Sequence, residues 1–195
     1  MQALNSFLVQ LETNVKDTIE TESGLKLYID TRFEGGEFDN RITGGPVVGL
    51  PAKYDTEVKL GDTIYFHHLV VLNKGQLMPG TDDVYMVDYD PDVVINNQAF
   101  AYKSAKSGHI YTLAGWALVS HMEQDEEVQS ELIELVKLKD TEVTKGVLAF
   151  DVPELDLKAG AVVGFKKNRD YKVEIDGKDY YRIAISQLLY EVQDS

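Results

Sequence analysis

The feature that most constrains this chain is a nine-residue segment that occurs twice. Val58-Lys59-Leu60-Gly61-Asp62-Thr63-Ile64-Tyr65-Phe66 is echoed by Leu157-Lys158-Ala159-Gly160-Ala161-Val162-Val163-Gly164-Phe165, with equal intervals from Gly to Phe. Upstream of each copy lies a second shared element, Gly45-Pro46-Val47-Val48-Gly49-Leu50-Pro51 against Gly146-Val147-Leu148-Ala149-Phe150-Asp151-Val152-Pro153. A third pairs Asn5-Ser6-Phe7-Leu8-Val9-Gln10 with Gly115-Trp116-Ala117-Leu118-Val119-Ser120. Similar elements in the same order argue for duplication of one folding unit. The boundary falls near Leu113 to Gly115, giving units over 1–114 and 115–195.

Each unit reads as β structure. Short alternating runs rich in β-branched and aromatic residues recur at Phe7–Leu11, Thr63–Phe66, Tyr171–Ile175 and Tyr180–Ile185. Turn signals separate them: Gly35-Gly36, Gly44-Gly45-Pro46, Pro79-Gly80, Asp90-Pro91 and the Asp176-Gly177 step between two alternating runs. This spacing predicts small barrels or sandwiches. Helical periodicity is confined to Asp125–Lys139, where Val128, Leu132 and Leu135 fall at i, i+4 and i+7.

Composition narrows the partners. The chain has 195 residues with 19 basic and 33 acidic side chains, a net charge of −14. Such a surface repels phosphate backbones and anionic lipid heads, so neither nucleic acid nor a membrane surface is an expected partner. The apolar runs between Gly and Pro are too short to span a bilayer. No cysteine is present, which removes disulfides, thiolate nucleophiles and Cys-ligated zinc. The N-terminus lacks a basic region followed by a long apolar run, so a cytoplasmic location is expected.

Catalytic constellations are sparse. His67 and His68 are adjacent on an expected strand, which points them to opposite faces and prevents joint ligation of one metal. Asp88-Tyr89-Asp90-Pro91-Asp92 alternates carboxylates, but the calcium-loop pattern requires Gly where Val93 stands and Glu where Ala99 stands; a solvated acidic loop is the simpler reading. Ser120 with His109 and His121 lacks the Gly-x-Ser-x-Gly elbow of a hydrolase. Trp116 is expected as a core aromatic of the second unit. No Gly-rich phosphate loop occurs, so ATP hydrolysis is not expected of this chain. The expectation is a protein without catalytic residues, metal or cofactor.

The ordered set of a first strand, a polar loop ending Thr21-Glu22-Ser23-Gly24-Leu25-Lys26-Leu27, a strand near Val47-Val48 and the Val58–Phe66 segment resembles GroES-type (chaperonin-10) co-chaperonins, most of all the bacteriophage-encoded members. The second half resembles the same family through Lys158-Ala159-Gly160, the run to Phe165, Tyr171–Ile175, the Asp176-Gly177 turn and the closing Ile183–Val192 stretch. The resemblance implies a mainly β fold of two GroES-like barrels in tandem. It places a mobile loop at about 14–30 and an insertion, where the family has a short connection, at about 74–100. The second unit's loop, Ser130-Glu131-Leu132-Ile133-Glu134-Leu135, lacks the glycine and carries acids, so that unit lacks a typical mobile loop. Between Pro51 and Glu57 there is no room for the family's roof hairpin.

The resemblance further implies that Gly24, Leu25, Lys26 and Leu27 bind a GroEL-type chaperonin ring. Asn14 to Lys26 is too polar to order itself, with Leu25 and Leu27 as exceptions. Burying one leucine in a groove is worth roughly 1.5–3 kcal/mol, while fixing each loop residue's backbone costs roughly 1–2 kcal/mol. One loop therefore binds weakly, and linked copies raise avidity by roughly 10²–10⁴, so a homo-oligomer is expected. The terminal strands Leu4–Leu11 and Leu188–Val192 would leave open apolar edges, which makes Phe7, Val9, Leu188, Leu189 and Val192 interface candidates. In the family the first and last strands of neighbours pair to close a seven-membered ring, a count that two barrels per chain in one ring cannot give. The implied function is a co-chaperonin that caps an ATP-dependent chaperonin while a client folds. The alternative is a structural oligomer, such as a phage particle component, that uses the same barrel without a chaperonin.

Overall fold

A computed structural model describes residues 3–12, 18–20, 23–28, 42–72, 76–94, 97–121, 143–166 and 171–192. The chain divides into two compact units, Met1–Ile110 and Tyr111–Ser195. The first is built from β1 (Ser6–Gln10), β2 (Thr18–Glu20), β3 (Lys26–Tyr28), β4 (Gly44–Gly49), β5 (Thr63–Phe66), the short helix α1 (Leu69–Leu72), β6 (Val84–Asp88) and β7 (Ala99–Lys103), with β8 (Ile110–Thr112) at the boundary. The second holds β9 (Trp116–His121), β10 (Val143–Leu148), β11 (Val162–Lys166), β12 (Tyr171–Ile175), β13 (Lys178–Ala184) and β14 (Leu188–Glu191), with 3-10 turns at Pro153–Leu155 and Ile185–Gln187. The fold is mainly β: two six-stranded antiparallel sheets, ordered β6-β1-β4-β5-β7-β8 and β12-β13-β9-β10-β11-β14. Among the described residues, no helix is long and apolar enough to cross a membrane. The helix expected over Asp125–Lys139 and the second unit's Ser130–Leu135 loop lie outside the described residues.

The repeat seen in the sequence extends to strand order and register. Val9 stands opposite Val47 and Val119 opposite Leu148. Gly45 stands opposite Ile64 and Gly146 opposite Val163. On the other flank Phe7 opposes Val87 and Ala117 opposes Ile183. The irregularity beside the third strand recurs: Phe66 and Tyr65 oppose Ala99 and Ala101, while Phe165 and Gly164 oppose Leu188 and Tyr190. One residue is thus bulged at the same step in each unit, Phe100 and Leu189. A further shift between β1 and β4, where Leu8 opposes Gly49 and Val9 opposes Val47, has no counterpart in the β9–β10 pairs Val119–Leu148 to His121–Gly146.

Two local devices set this register. Leu60-Gly61 and Ala159-Gly160 turn the chain into the third strand, with φ of 87° at Gly61 and 92° at Gly160, a conformation open to glycine. The Gly61 N–H donates to the Val47 carbonyl at 2.9 Å and the Gly160 N–H to that of Leu148 at 2.8 Å. Glycine is also demanded where the first strand packs on the second. A Cβ on Gly45 would run into Leu11 Cδ2 first and come within 2.7 Å of Val9 Cγ1, and one on Gly146 within 3.2 Å of Val119 Cβ and 3.0 Å of the Ser120 carbonyl oxygen. Alternation then fills the interior. In the second unit Ala117, Val119, Leu148, Val163, Phe165 and Ile183 form one buried cluster.

Asp62 explains the Gly-Asp step of the first copy. Its carboxylate is buried and accepts the Lys59 N–H and the Ala105 N–H, both at 2.8 Å, tying the turn before β5 to the loop after β7. The second unit has Ala161 there, and Asp151 holds its turn instead, accepting the Ala159 N–H at 2.9 Å and the Lys158 ammonium at 3.2 Å. Those contacts keep the Asp151 carboxyl below the usual range, the Ala159 amide contributing most.

One expectation is corrected. β1 has no open edge, because β6 and β4 flank it, and Phe7 and Val9 are fully buried core residues instead of interface residues. The stretch expected as an insertion carries β6, which pairs along β1 as β13 pairs along β9. Leu77 bridges Tyr85 where Lys172 of β12 faces Tyr181.

Gly45→Val and Gly146→Val should each lower stability by about 1–3 kcal/mol in urea titrations, since the overpacked side chain must displace the first strand. Val48→Thr, on the exposed side of β4, should stay within about 0.5 kcal/mol of wild type. Asp62→Ala leaves two amides without their acceptor and should cost about 1–3 kcal/mol in the same assay.

Candidate functional site

The chaperonin-binding residues expected from the sequence sit on a hairpin that belongs to neither large sheet. Among the described residues β2 and β3 pair only with each other, Thr18 opposite Tyr28, Ile19 opposite Leu27 and Glu20 opposite Lys26. The turn contains Gly24 at φ 78°, and a Cβ there would meet nothing within 4 Å. Ser23, Gly24, Leu25 and Lys26 are all exposed, and Leu25 keeps 59% of its surface in water. Leaving that much leucine solvated gives up most of the roughly 1.5–3 kcal/mol that burial would return. A two-stranded hairpin outside any sheet is marginal by itself, so its order is inexpensive to reshape on contact with a partner.

The remaining candidates scatter. Leu188 is half-buried against the second core, whereas Leu189 and Val192 are exposed, at 46% and 38%. Among the described residues β14 is the outermost strand of its sheet. His109 lies in the first unit and Ser120 in the second, both exposed.

His67 and His68 depart from the expectation. β5 ends at Phe66, and the chain turns into α1, with the Leu69 N–H donating to His67 Nδ1 at 3.2 Å. The two rings therefore stack at 4.3 Å and do not point to opposite faces.

The carboxylates of Asp88 and Asp90 serve the protein's own donors. Asp88 accepts the Ser6 hydroxyl at 2.8 Å, and Asp90 Oδ1 accepts the N–H groups of Asp92 and Val93, each at 3.1 Å. Asn97 Oδ1 accepts the Asp90 N–H. The stretch is thus an Asx turn leaving β6. Among the described residues, no three His, Asp or Glu side chains cluster as metal ligands.

A further cluster escaped the sequence reading. Trp116 is not in the core: it is half-buried on the face opposite the Ala117, Val119 and Ile183 cluster. Arg182 opposes Leu118 on one side and Tyr171 on the other, so its guanidinium reaches two rings, 4.3 Å from the centroid of Trp116 and 5.2 Å from that of Tyr171. Burial pulls its pKa down to about 10. The equivalent residue in the first unit is Met86, opposite Leu8. Alternation places Arg182 on that face, but no local signal shows the rings that β9 and β12 bring to it.

No family model matches the chain, and a search of curated proteins finds no match.

The cation–π contacts and the burial cost of the charge oppose each other at Arg182. Arg182→Met, which places in the second unit the residue found in the first, should unfold within about 1 kcal/mol of wild type. Trp116→Ala removes the platform itself and should cost about 2 kcal/mol or more by thermal denaturation.

Proposed function

We propose that this chain is a co-chaperonin: two GroES-like units in tandem, working as an oligomer that caps an ATP-driven chaperonin ring so that a client folds in a closed chamber. The observation that carries the reading is Leu25, more than half exposed beside the Gly24 turn of a hairpin separate from both large sheets. A leucine presented in this way is suited to an apolar groove, and Lys26 adds a cation beside it on a chain of net charge −14. The barrel closure that the family resemblance implies belongs to this proposal, as does the ring-forming partner.

The energetics favour a switchable contact. One hairpin buries little, so its grip is weak, and several copies acting together bind far more tightly. A partner that rotates its grooves then loses every contact at once. ATP turnover is assigned to that partner. The second reading, a structural assembly protein, is favoured by the exposed apolar residues of β14, which suit self-association without any chaperonin.

A pull-down on a chaperonin ring with and without ATP separates the two. Nucleotide-dependent capture is expected, and Leu25→Asp with Leu27→Asp should reduce it at least tenfold. Capture unaffected by the double substitution removes the site assignment, and absence of capture in every nucleotide state removes the co-chaperonin reading in favour of the structural one.

A further inference from the structure

The register of the β2–β3 hairpin sorts its residues onto two faces. Residues directly opposite each other on an antiparallel pair share a face, and successive residues of one strand alternate between faces. Ile19 opposite Leu27 therefore defines one face, and Glu20 opposite Lys26, with Thr18 opposite Tyr28, defines the other. Exposed Leu25 adjoins the first face at the turn, two residues before Leu27. One face is apolar and the other carries a pair of opposite charges.

Sequence order hides this arrangement. Ile19 stands in a stretch of acidic and hydroxyl side chains, Asp17-Thr18-Ile19-Glu20-Thr21-Glu22, and only the pairing brings it level with Leu27. The turn at Gly24, with φ of 78°, uses a conformation open to glycine and returns the chain in that register. A one-residue slip would put Thr18 or Glu20 on the apolar face in place of Ile19. Opposite charges directly across a strand pair favour one register, which gives Glu20 and Lys26 a part in holding Ile19 beside Leu27.

We infer that Ile19 is a third contact residue of the hairpin, entering the chaperonin's apolar groove together with Leu25 and Leu27, and that Lys26 is a positioning residue that acts through Glu20. The inference rests on the co-chaperonin reading and extends it: the groove takes one face of a strand pair instead of a run of consecutive side chains. Leu25 is the reason for naming that groove as the occupant, because the hairpin that holds Ile19 already presents this leucine to solvent at 59% exposure. A face drawn from two strands buries more apolar surface than one strand offers, and burial is the favourable term in such a contact. It also makes the grip depend on the hairpin being closed, since opening it separates Ile19 from Leu27.

In the chaperonin pull-down, Ile19→Asp should reduce capture about tenfold, as Leu27→Asp does, because a carboxylate would have to be desolvated in the groove. Ile19→Leu should capture like wild type. Thr18→Asp adds the same charge one residue away on the other face and should stay within about twofold of wild type, which separates loss of the face from loss of the hairpin. Glu20→Lys sets two cations opposite each other and should weaken capture about threefold, and adding Lys26→Glu should restore it. The chain lacks cysteine, so an environment-sensitive dye on Ile19→Cys should shift to the blue when the ring is added, and the same dye on Thr18→Cys should not. Full capture by Ile19→Asp where Leu27→Asp fails, equal loss from Thr18→Asp, an equal dye shift at both positions, or no restoration by the charge exchange overturns the inference and leaves the co-chaperonin reading standing. No capture of the wild type removes that reading and the inference with it.

Discussion

The packing of a valine of the first strand onto a glycine of the second is the contact on which both sheets depend. Val9 lies over Gly45 and Val119 over Gly146, too close for any side chain larger than hydrogen to be added without displacement. With the second strand held against the first, its pairing to the third follows, because the glycine turns at Gly61 and Gly160 return the chain with one register. The flanking strands then add to a defined three-stranded frame, and the bulge beside the third strand recurs at the same residue step. Register in a sheet with a buried face is strongly specified, since a one-residue slip would turn every core residue outward.

Within that frame the units exchange volume without changing architecture. Tyr65 faces Ala101 in the first unit, and Gly164 faces Tyr190 in the second. The ring has moved to the opposite strand. In the first unit it lies on Gly44, and in the second it lies on Gly164, where a Cβ would be 2.3 Å from the ring. Phe7 and Val87 become Ala117 and Ile183 in the same way. Compensation extends to polar ties, with Asp151 holding the turn that Asp62 organises in the first unit. Swaps that conserve total volume are the tolerated kind, so two divergent sequences keep one register.

Much of this was legible beforehand because it is local. β12 was read from alternation at its observed limits, and the Asp176-Gly177 turn from its composition, since pleat and turn geometry depend on a few neighbouring residues. The candidate hairpin was legible in the same sense, its glycine and two leucines standing out from a polar stretch. What escaped depended on neighbours distant in sequence. Leu4–Leu11 read as an exposed terminal strand because nothing nearby reveals that Val84–Asp88 pairs with it. His67 and His68 read as a continuation of β5 because the strand's end is set by the turn into α1. Trp116 read as core because its small neighbours suggest an interior, whereas alternation gives the inward positions to Ala117 and Val119.

The amino-acid sequence by itself determined that there are two related units, where several of their strands and turns fall, and that a small apolar group stands in a polar stretch near the start. Those properties follow from periodicity and backbone sterics, which act over a few residues. Tertiary structure decided which strands are interior and which lie outermost, which face of each alternating strand meets the core, and that Arg182 lies between Trp116 and Tyr171. Such outcomes depend on pairings between segments tens of residues apart, and only the assembled sheet brings those segments within reach.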